Sequence, residues 1–495
     1  MDGFDVSKES LFAHRYTTQS MIVLCAILLF VVVYWVCGTI AVNAGTGWDG
    51  SIYLNYIERL ARGEAIHGDP YRLMRMPGFG PLIGGAALGL SPTYFLTFQM
   101  LLNGLVVSIG LALFYSALMN IGCERKSALM STGLLMLTWP VLVMPVYYPI
   151  LSDHAAIALS CTALWLWSKS LRVWLSGLCV LSVWVLPGLF LLPLVLLCFP
   201  FKQHASKDEG CQSAKVLSVR IFAVSGVIAA ALLLKHLLRF SVEKIAVHAV
   251  DKNGQTALTE WLPLTYVAAI LCVLYVAWIY SRLIVDRSVW SALNIKWLCV
   301  SLVVLASTFV WVYLSFDWSV GFAGPPLTKF MTLQSLAAPF KPLVAHFYAF
   351  GPVIVLSLWS LYRWSIKRER NVPRALIVVL AAYLPFLLFG SESRQWIGVL
   401  PVSAAIFAMS GFSFGLRIWS VIYAALLITP LMFLQSNNAQ ALAQGLSYQS
   451  GEWQYYFGRQ GPWMSASLYL SVAALLLVFV LVAMLIQRFS KQGVK

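Results

Sequence analysis

Between Trp48 and Phe79 the chain reads WDGSIYLNYIERLARGEAIHGDPYRLMRMPGF, a dense run of acids, arginines, tyrosines and a histidine in an otherwise apolar sequence. A carboxylate such as Asp49 or Asp69 can move a proton. Arg72 and Arg75 carry planar forks of donors whose geometry suits phosphate. His67 could relay a proton, although an exposed loop histidine is more often passive. Each group also has a plain structural reading. Asp49 suits the start of a helix, where a carboxylate meets free backbone amides. Asp69 stands before Pro70, as in a turn, and the arginines can snorkel to lipid headgroups. Because this stretch directly follows a run long enough to cross a bilayer, its charges belong at a membrane face. That placement points to chemistry on a lipid-linked substrate.

The elements that must hold these groups can be read locally. Ile52, Tyr53, Tyr56, Ile57 and Leu60 recur at three- and four-residue spacing, with Asn55, Glu58, Arg59 and Arg62 on the opposite face. This spacing predicts an amphipathic helix over 49–62 lying in the interface, with Gly63 in position to end it. His67 to Pro77 reads as a turn followed by a short extended or irregular segment. The next stretch, 78–91, is too short and glycine-rich to span, so it is expected to be interfacial or re-entrant on the same side.

The whole chain has 495 residues, is 60% hydrophobic and only 11% charged, with mean hydropathy +0.80. That is more apolar surface than one water-soluble core could hide, and the reading is an all-α, polytopic integral membrane protein. Hydropathy predicts about 13–14 transmembrane helices, near 21–43, 94–119, 127–146, 153–168, 172–185, 187–200, 218–236, 261–281, 297–315, 346–363, 374–390, 396–412, 416–434 and 464–486. The pair over 172–200 is expected to be a hairpin of half-length helices broken at Val185-Leu186-Pro187-Gly188. Segment 21–43 lacks a cleavage pattern and reads as a retained helix. The organisation is then a cytosolic N-terminus at 1–20, a membrane domain at 21–434 that includes the first outer loop at 44–77, and a last outer loop, helix and cytosolic tail at 435–495.

The formal charge is +15, but the 34 Lys and Arg gather in short loops between apolar runs, mostly those this layout puts in the cytosol. That distribution argues against nucleic acid and for cytosolic termini, with membrane lipids as partners. Lys207-Asp208-Glu209 and Lys367-Arg368-Glu369-Arg370 read as solvated loop charges. The nine cysteines show no paired spacing, so neither a disulfide framework nor a zinc site is expected.

The order of these features resembles the GT-C superfamily of membrane glycosyltransferases, which includes the aminoarabinose and protein O-mannosyl transferases. The shared order is an apolar helix, then Asp49 with an aromatic after it, an amphipathic helix ending near Gly63, then Arg and Pro before the apolar stretch MPGFGPLIGGAALGL. Asn103 with Glu124-Arg125-Lys126 resembles the family's next helix and its basic end. Pro149-Ile150-Leu151-Ser152-Asp153 resembles its second outer loop, and Ser391-Glu392-Ser393-Arg394-Gln395-Trp396 the late loop where a basic residue faces the carrier phosphate. The similarity covers roughly 20–200 and 385–405.

The resemblance implies a GT-C fold and an inverting transfer of sugar from a polyprenyl-phosphate carrier to a glycan, lipid or protein acceptor, at the periplasmic face of a bacterial inner membrane. It nominates Asp49 as the base. Arg394, with Arg72 or Arg75 as alternates, would hold the phosphate, and Tyr53, His67, Tyr71 and Glu392 would line the substrate site. Asp153 and Asp69 are second acids, each with a helix-cap or turn reading beside it. Asp49 precedes Gly50 and Ser51 where many relatives carry a second acid; no cofactor is required, and a divalent metal stays open. Two rivals need no catalysis: a secondary transporter or lipid flippase, and a subunit of an envelope-glycan assembly complex. Transporters place ionisable groups at mid-bilayer, whereas these helix interiors look almost bare of them.

Overall fold

A computed structural model describes residues 6–89, 92–201, 212–237, 239, 258–316, 327–366, 369, 371–429, 434–446, 461 and 464–492. Among these residues there is helix and no strand. Among the described residues six helices are long and apolar enough to cross a membrane, within Tyr16–Cys37, Tyr94–Asn120, Val216–Leu237, Leu262–Val285, Ile295–Ser315 and Ala466–Ser490. Shorter apolar helices run over Arg172–Val185, Pro187–Cys198, Arg374–Phe389, Val399–Met409 and Phe414–Ile428. The protein is an all-α membrane protein.

Three expected spans differ from the sequence reading, and backbone chemistry explains each. The first helix, Val6–Cys37, stops well before Asn43, because Gly38 takes φ 58° and turns the chain out of the helix. Segment 127–146 is not one helix. It is Arg125–Met136 followed by two single turns, Trp139–Leu142 and Met144–Tyr147, with Pro140 and Pro145 in their first turns, where a missing N–H costs nothing. Segment 346–363 divides at Gly351, φ 68°, and Pro352 into Lys341–Phe350 and Pro352–Ser365. Leu186 is extended ahead of Pro187, as the residue before proline prefers, and separates Arg172–Val185 from Leu191–Cys198.

Burial grades across the bundle. Of the most apolar stretch of Tyr94–Asn120, 67% is buried, against 11% for Val216–Leu237 and 17% for Ile295–Ser315, so the latter two stand at the periphery. Helix Pro92–Asn120 packs along Asp153–Ser168. Gly110 permits that approach, since a Cβ there would lie 3.1 Å from the Ala158 Cα. Helix Val399–Met409 is buried almost throughout and packs against Arg125–Met136, Pro352–Ser365 and Arg374–Phe389. Lys341, His346, Glu369 and Arg417 are also buried, so the interior holds more ionisable groups than hydropathy indicated. No disulfide joins the eight described cysteines to one another. Lys207-Asp208-Glu209, Lys367, Arg368, Arg370 and most of 435–463 lie outside the described residues.

Candidate functional site

After Gly38 the chain bends sharply before re-entering helix Gly47–Ala61. Asn43 and Ala44 sit at φ 50° and 52°, a left-handed conformation that costs non-glycine residues energy. The Asn43 amide holds the bend by donating to the Gly47 carbonyl at 2.9 Å. Gly47 itself has φ +72°, and a Cβ there would fall 2.1 Å from the Tyr148 ring. Glycine is therefore what lets Tyr148 close on the helix start. The Tyr148 hydroxyl accepts the Asp49 N–H at 3.0 Å. Asp49 is thus fixed in the first turn, and the residue at the cap position, Thr46, makes no side-chain cap bond.

The carboxylate of Asp49 is turned between two arginines. Its Oδ1 accepts from Arg72 at 3.4 Å and its Oδ2 from Arg394 at 3.3 Å. Arg394 also grips Asp153 with two nitrogens, Nε to Oδ1 at 3.1 Å and a terminal nitrogen to Oδ2 at 3.3 Å. Exposure falls along this chain of charges: the side chains of Asp49, Arg72 and Arg394 are 39%, 29% and 22% exposed, and that of Asp153 is 0%. Asp153 is the first residue of its helix, with both oxygens spent on Arg394 rather than on the helix amides.

The other predicted residues sort by position. Asp69 caps the turn Pro70–Leu73, accepting from the Tyr71 N–H at 3.0 Å. The Arg75 guanidinium lies 4.2 Å over the Tyr71 ring and donates to the Tyr71 hydroxyl and, at 3.2 Å, to Gln395 Oε1. The Tyr71 hydroxyl in turn donates to Gln395. Arg75 is buried, unlike Arg72 one turn earlier. Tyr53 is buried against Phe79, with ring centroids 5.0 Å apart, and hydrogen bonds to Arg75. Glu392 is half-buried and accepts from Gln395 at 3.2 Å. His67 is exposed on the turn and joins none of these contacts among the described residues.

The segment bearing Arg394 is anchored from behind. Ser391 gives its N–H and its hydroxyl to Gln334 Oε1, at 2.6 and 2.8 Å. The Ser393 hydroxyl meets His346 Nδ1 at 2.8 Å. Gly188, in the break after Leu186, lies against the Gln395 carbonyl, where a Cβ would come within 2.8 Å. The half-length helices thus support this segment. Sequence reasoning did not single out Tyr148, Gln395, Gln334 or His346 for these roles. Tyr148 directly precedes the quoted Pro149 motif and Gln395 lies inside another, yet nothing local marks either as a contact.

Electrostatics set the protonation states. Burial pushes the Arg394 guanidinium down, but the charges of Asp153 and Asp49 and the hydrogen bond to Asp153 outweigh it and hold it well above its usual range. Burial, reinforced by the Asp49 charge, pushes the Tyr148 phenol up to about 12, so it stays a neutral partner for the amide. Burial likewise raises the Glu392 carboxyl against the opposing charge of Arg394. No group of three His, Cys, Asp or Glu is placed to hold a metal ion among the described residues. Asp49 and Asp153 both contact the Arg394 guanidinium.

Comparison of the chain with protein-family models, curated proteins and solved structures finds no match.

Proposed function

We propose that the chain is an inverting glycosyltransferase of the GT-C type, moving a sugar from a polyprenyl-phosphate carrier to a hydroxyl of a glycan, lipid or protein acceptor. The reaction would take place at the periplasmic face of a bacterial inner membrane, with both termini in the cytosol. One observation carries the reading: Asp49 and Arg394, 345 residues apart, meet at 3.3 Å in a partly exposed spot beside apolar helices. A carboxylate and a guanidinium side by side are the two groups that this substitution needs.

The mechanism follows from their competition. Asp49 occupies the donors of Arg72 and Arg394. An arriving phosphate competes for the same nitrogens and releases the carboxylate. The acceptor oxygen attacks the anomeric carbon as the bond from that carbon to the phosphate oxygen breaks. The electron pair leaves with the phosphate, and Asp49 takes the acceptor proton. Attack opposite the leaving group inverts the anomeric centre. Preorganised positive charge in a poorly hydrated site stabilises the departing phosphate.

The test is reconstitution of the purified chain in vesicles with a polyprenyl-phosphate-linked sugar and a panel of hydroxyl acceptors. The expected result is release of free polyprenyl phosphate with a product of inverted anomeric configuration. Solute flux without turnover of the carrier would sink the proposal and leave transport standing.

A further inference from the structure

Asp153 carries a full charge at 0% exposure, with both oxygens committed to one guanidinium. No face of this carboxylate is left to touch a substrate, which argues against its acting as a second acid. Its partner is differently placed. Arg394 spends Nε and one terminal nitrogen on Asp153, and only the other terminal nitrogen reaches the exposed Asp49. A fork held on two prongs presents the third in a fixed direction. The backbone adds to this, since Ser391 and Ser393 pin the same segment to Gln334 and His346. The Tyr148 ring lies beneath the guanidinium, 5.9 Å from its carbon.

We infer that Asp153 is a positioning residue, which locks two nitrogens of Arg394 so that the third alone exchanges between Asp49 and the phosphate of the ligand. This rests on the glycosyl-transfer reading, because it specifies how that site holds its anion. The arrangement separates two functions in one side chain. The buried edge sets geometry and never lets go, and the exposed edge trades one carboxylate for one phosphate. Without the buried edge, Arg394 is free to fold both terminal nitrogens onto Asp49, which would block the phosphate site and occupy the base together.

Binding of farnesyl phosphate to the full chain in lipid nanodiscs, measured by calorimetry, tests this without any chemistry taking place. Asp153→Asn and Arg394→Gln should each weaken binding by roughly tenfold or more, the weight of a charge-assisted hydrogen bond. The double variant should bind no more weakly than Arg394→Gln alone, because groups acting through one another are not additive. Wild-type affinity in Asp153→Asn, or additive losses in the double variant, would overturn the inference while leaving the site's phosphate-binding role intact. A wild-type chain that binds no farnesyl phosphate would sink the glycosyl-transfer reading and this inference with it. Should Asp153→Asn fail to fold, Arg394→Lys decides, since it keeps the charge and loses the fork. It should lose as much affinity as Arg394→Gln, and wild-type binding by the lysine variant would overturn the inference.

Discussion

Two charged clusters in this protein use the same residue types in opposite ways. Around Gly411, Arg363 pairs with Glu369 at 2.9 Å, with side chains 11% and 3% exposed. Both Glu369 oxygens accept the Gly411 N–H, at 3.2 and 3.0 Å. Nearby, Arg417 donates to the carbonyls of Phe407 at 2.8 Å, Ser410 at 2.5 Å and Phe412 at 3.4 Å. These charges are spent on closing the link between helices Val399–Met409 and Phe414–Ile428. Around Asp49 the contacts are longer, the side chains more exposed, and the acid at the rim is shared by two arginines that can each trade it for another anion. The difference teaches that enclosure, not the presence of ion pairs, separates a structural clasp from a site able to exchange partners.

The comparison fails if the two clusters respond alike to loss of a carboxylate. Asp49→Asn should cut sugar transfer by about 10²–10⁴-fold, the range for a positioned base, with the thermal unfolding midpoint unchanged. Normal transfer by a well-folded Asp49→Asn variant would remove the base. Glu369→Gln should do the reverse, costing about 3–5 kcal/mol of stability because it leaves the largely enclosed Arg363 charge without its carboxylate. Transfer per folded molecule should stay at the wild-type level, as read by denaturation alongside activity normalised to monodisperse protein. A Glu369→Gln variant that kept its stability and lost transfer would erase the contrast.

Much of the framework around Asp49 was legible in the sequence. The spacing from Ile52 to Leu60 predicted a helix over 49–62, and the helix runs Gly47–Ala61, with Gly63 at φ +72° donating to the Leu60 carbonyl at 3.0 Å. Such a pattern is local, so one segment suffices to read it. What brings Asp153 to Arg394 is not local: 241 residues separate them, and neither neighbourhood encodes the other. Hydropathy also joined helices that backbone chemistry separates. An averaged window counts Pro140, Pro145, Gly351 and Pro352 as mildly polar residues and does not register a missing donor or a positive φ. Gln395 has no sequence signal at all, since an amide between an arginine and a tryptophan announces no partner.

Gly47→Ala sharpens the comparison from the backbone side. A methyl group there meets the Tyr148 ring at a φ of +72°, so either the ring or the helix start must move. The expected cost is about 1–3 kcal/mol of stability, with reduced transfer because Asp49 loses the hydroxyl that fixes its amide. A Tyr148→Phe variant isolates the second part, removing the hydroxyl and keeping the ring. Transfer should fall in both variants and stability chiefly in Gly47→Ala, and equal stability losses would show that the hydroxyl, not the space, holds the bend.

The smallest effect is expected at Arg72, and its smallness is informative. Its pair with Asp49 is 3.4 Å long and both side chains keep about a third of their surface in solvent, 29% and 39%. Exposed pairs of this kind contribute about 0–1 kcal/mol, so Arg72→Gln should leave the unfolding midpoint nearly unmoved. Phosphate affinity should fall by a few-fold up to about tenfold, in line with the loss of one charge-assisted donor. The direction of a second readout separates the two jobs the residue could have. If Arg72 mainly restrains Asp49, its removal frees the base and kcat holds or rises while KM for the donor grows. If Arg72 instead carries charge that develops on the departing phosphate, kcat falls with kcat/KM. Its longer contact and greater freedom compared with Arg394 favour the first outcome, which would leave Arg394 as the arginine that meets the transition state.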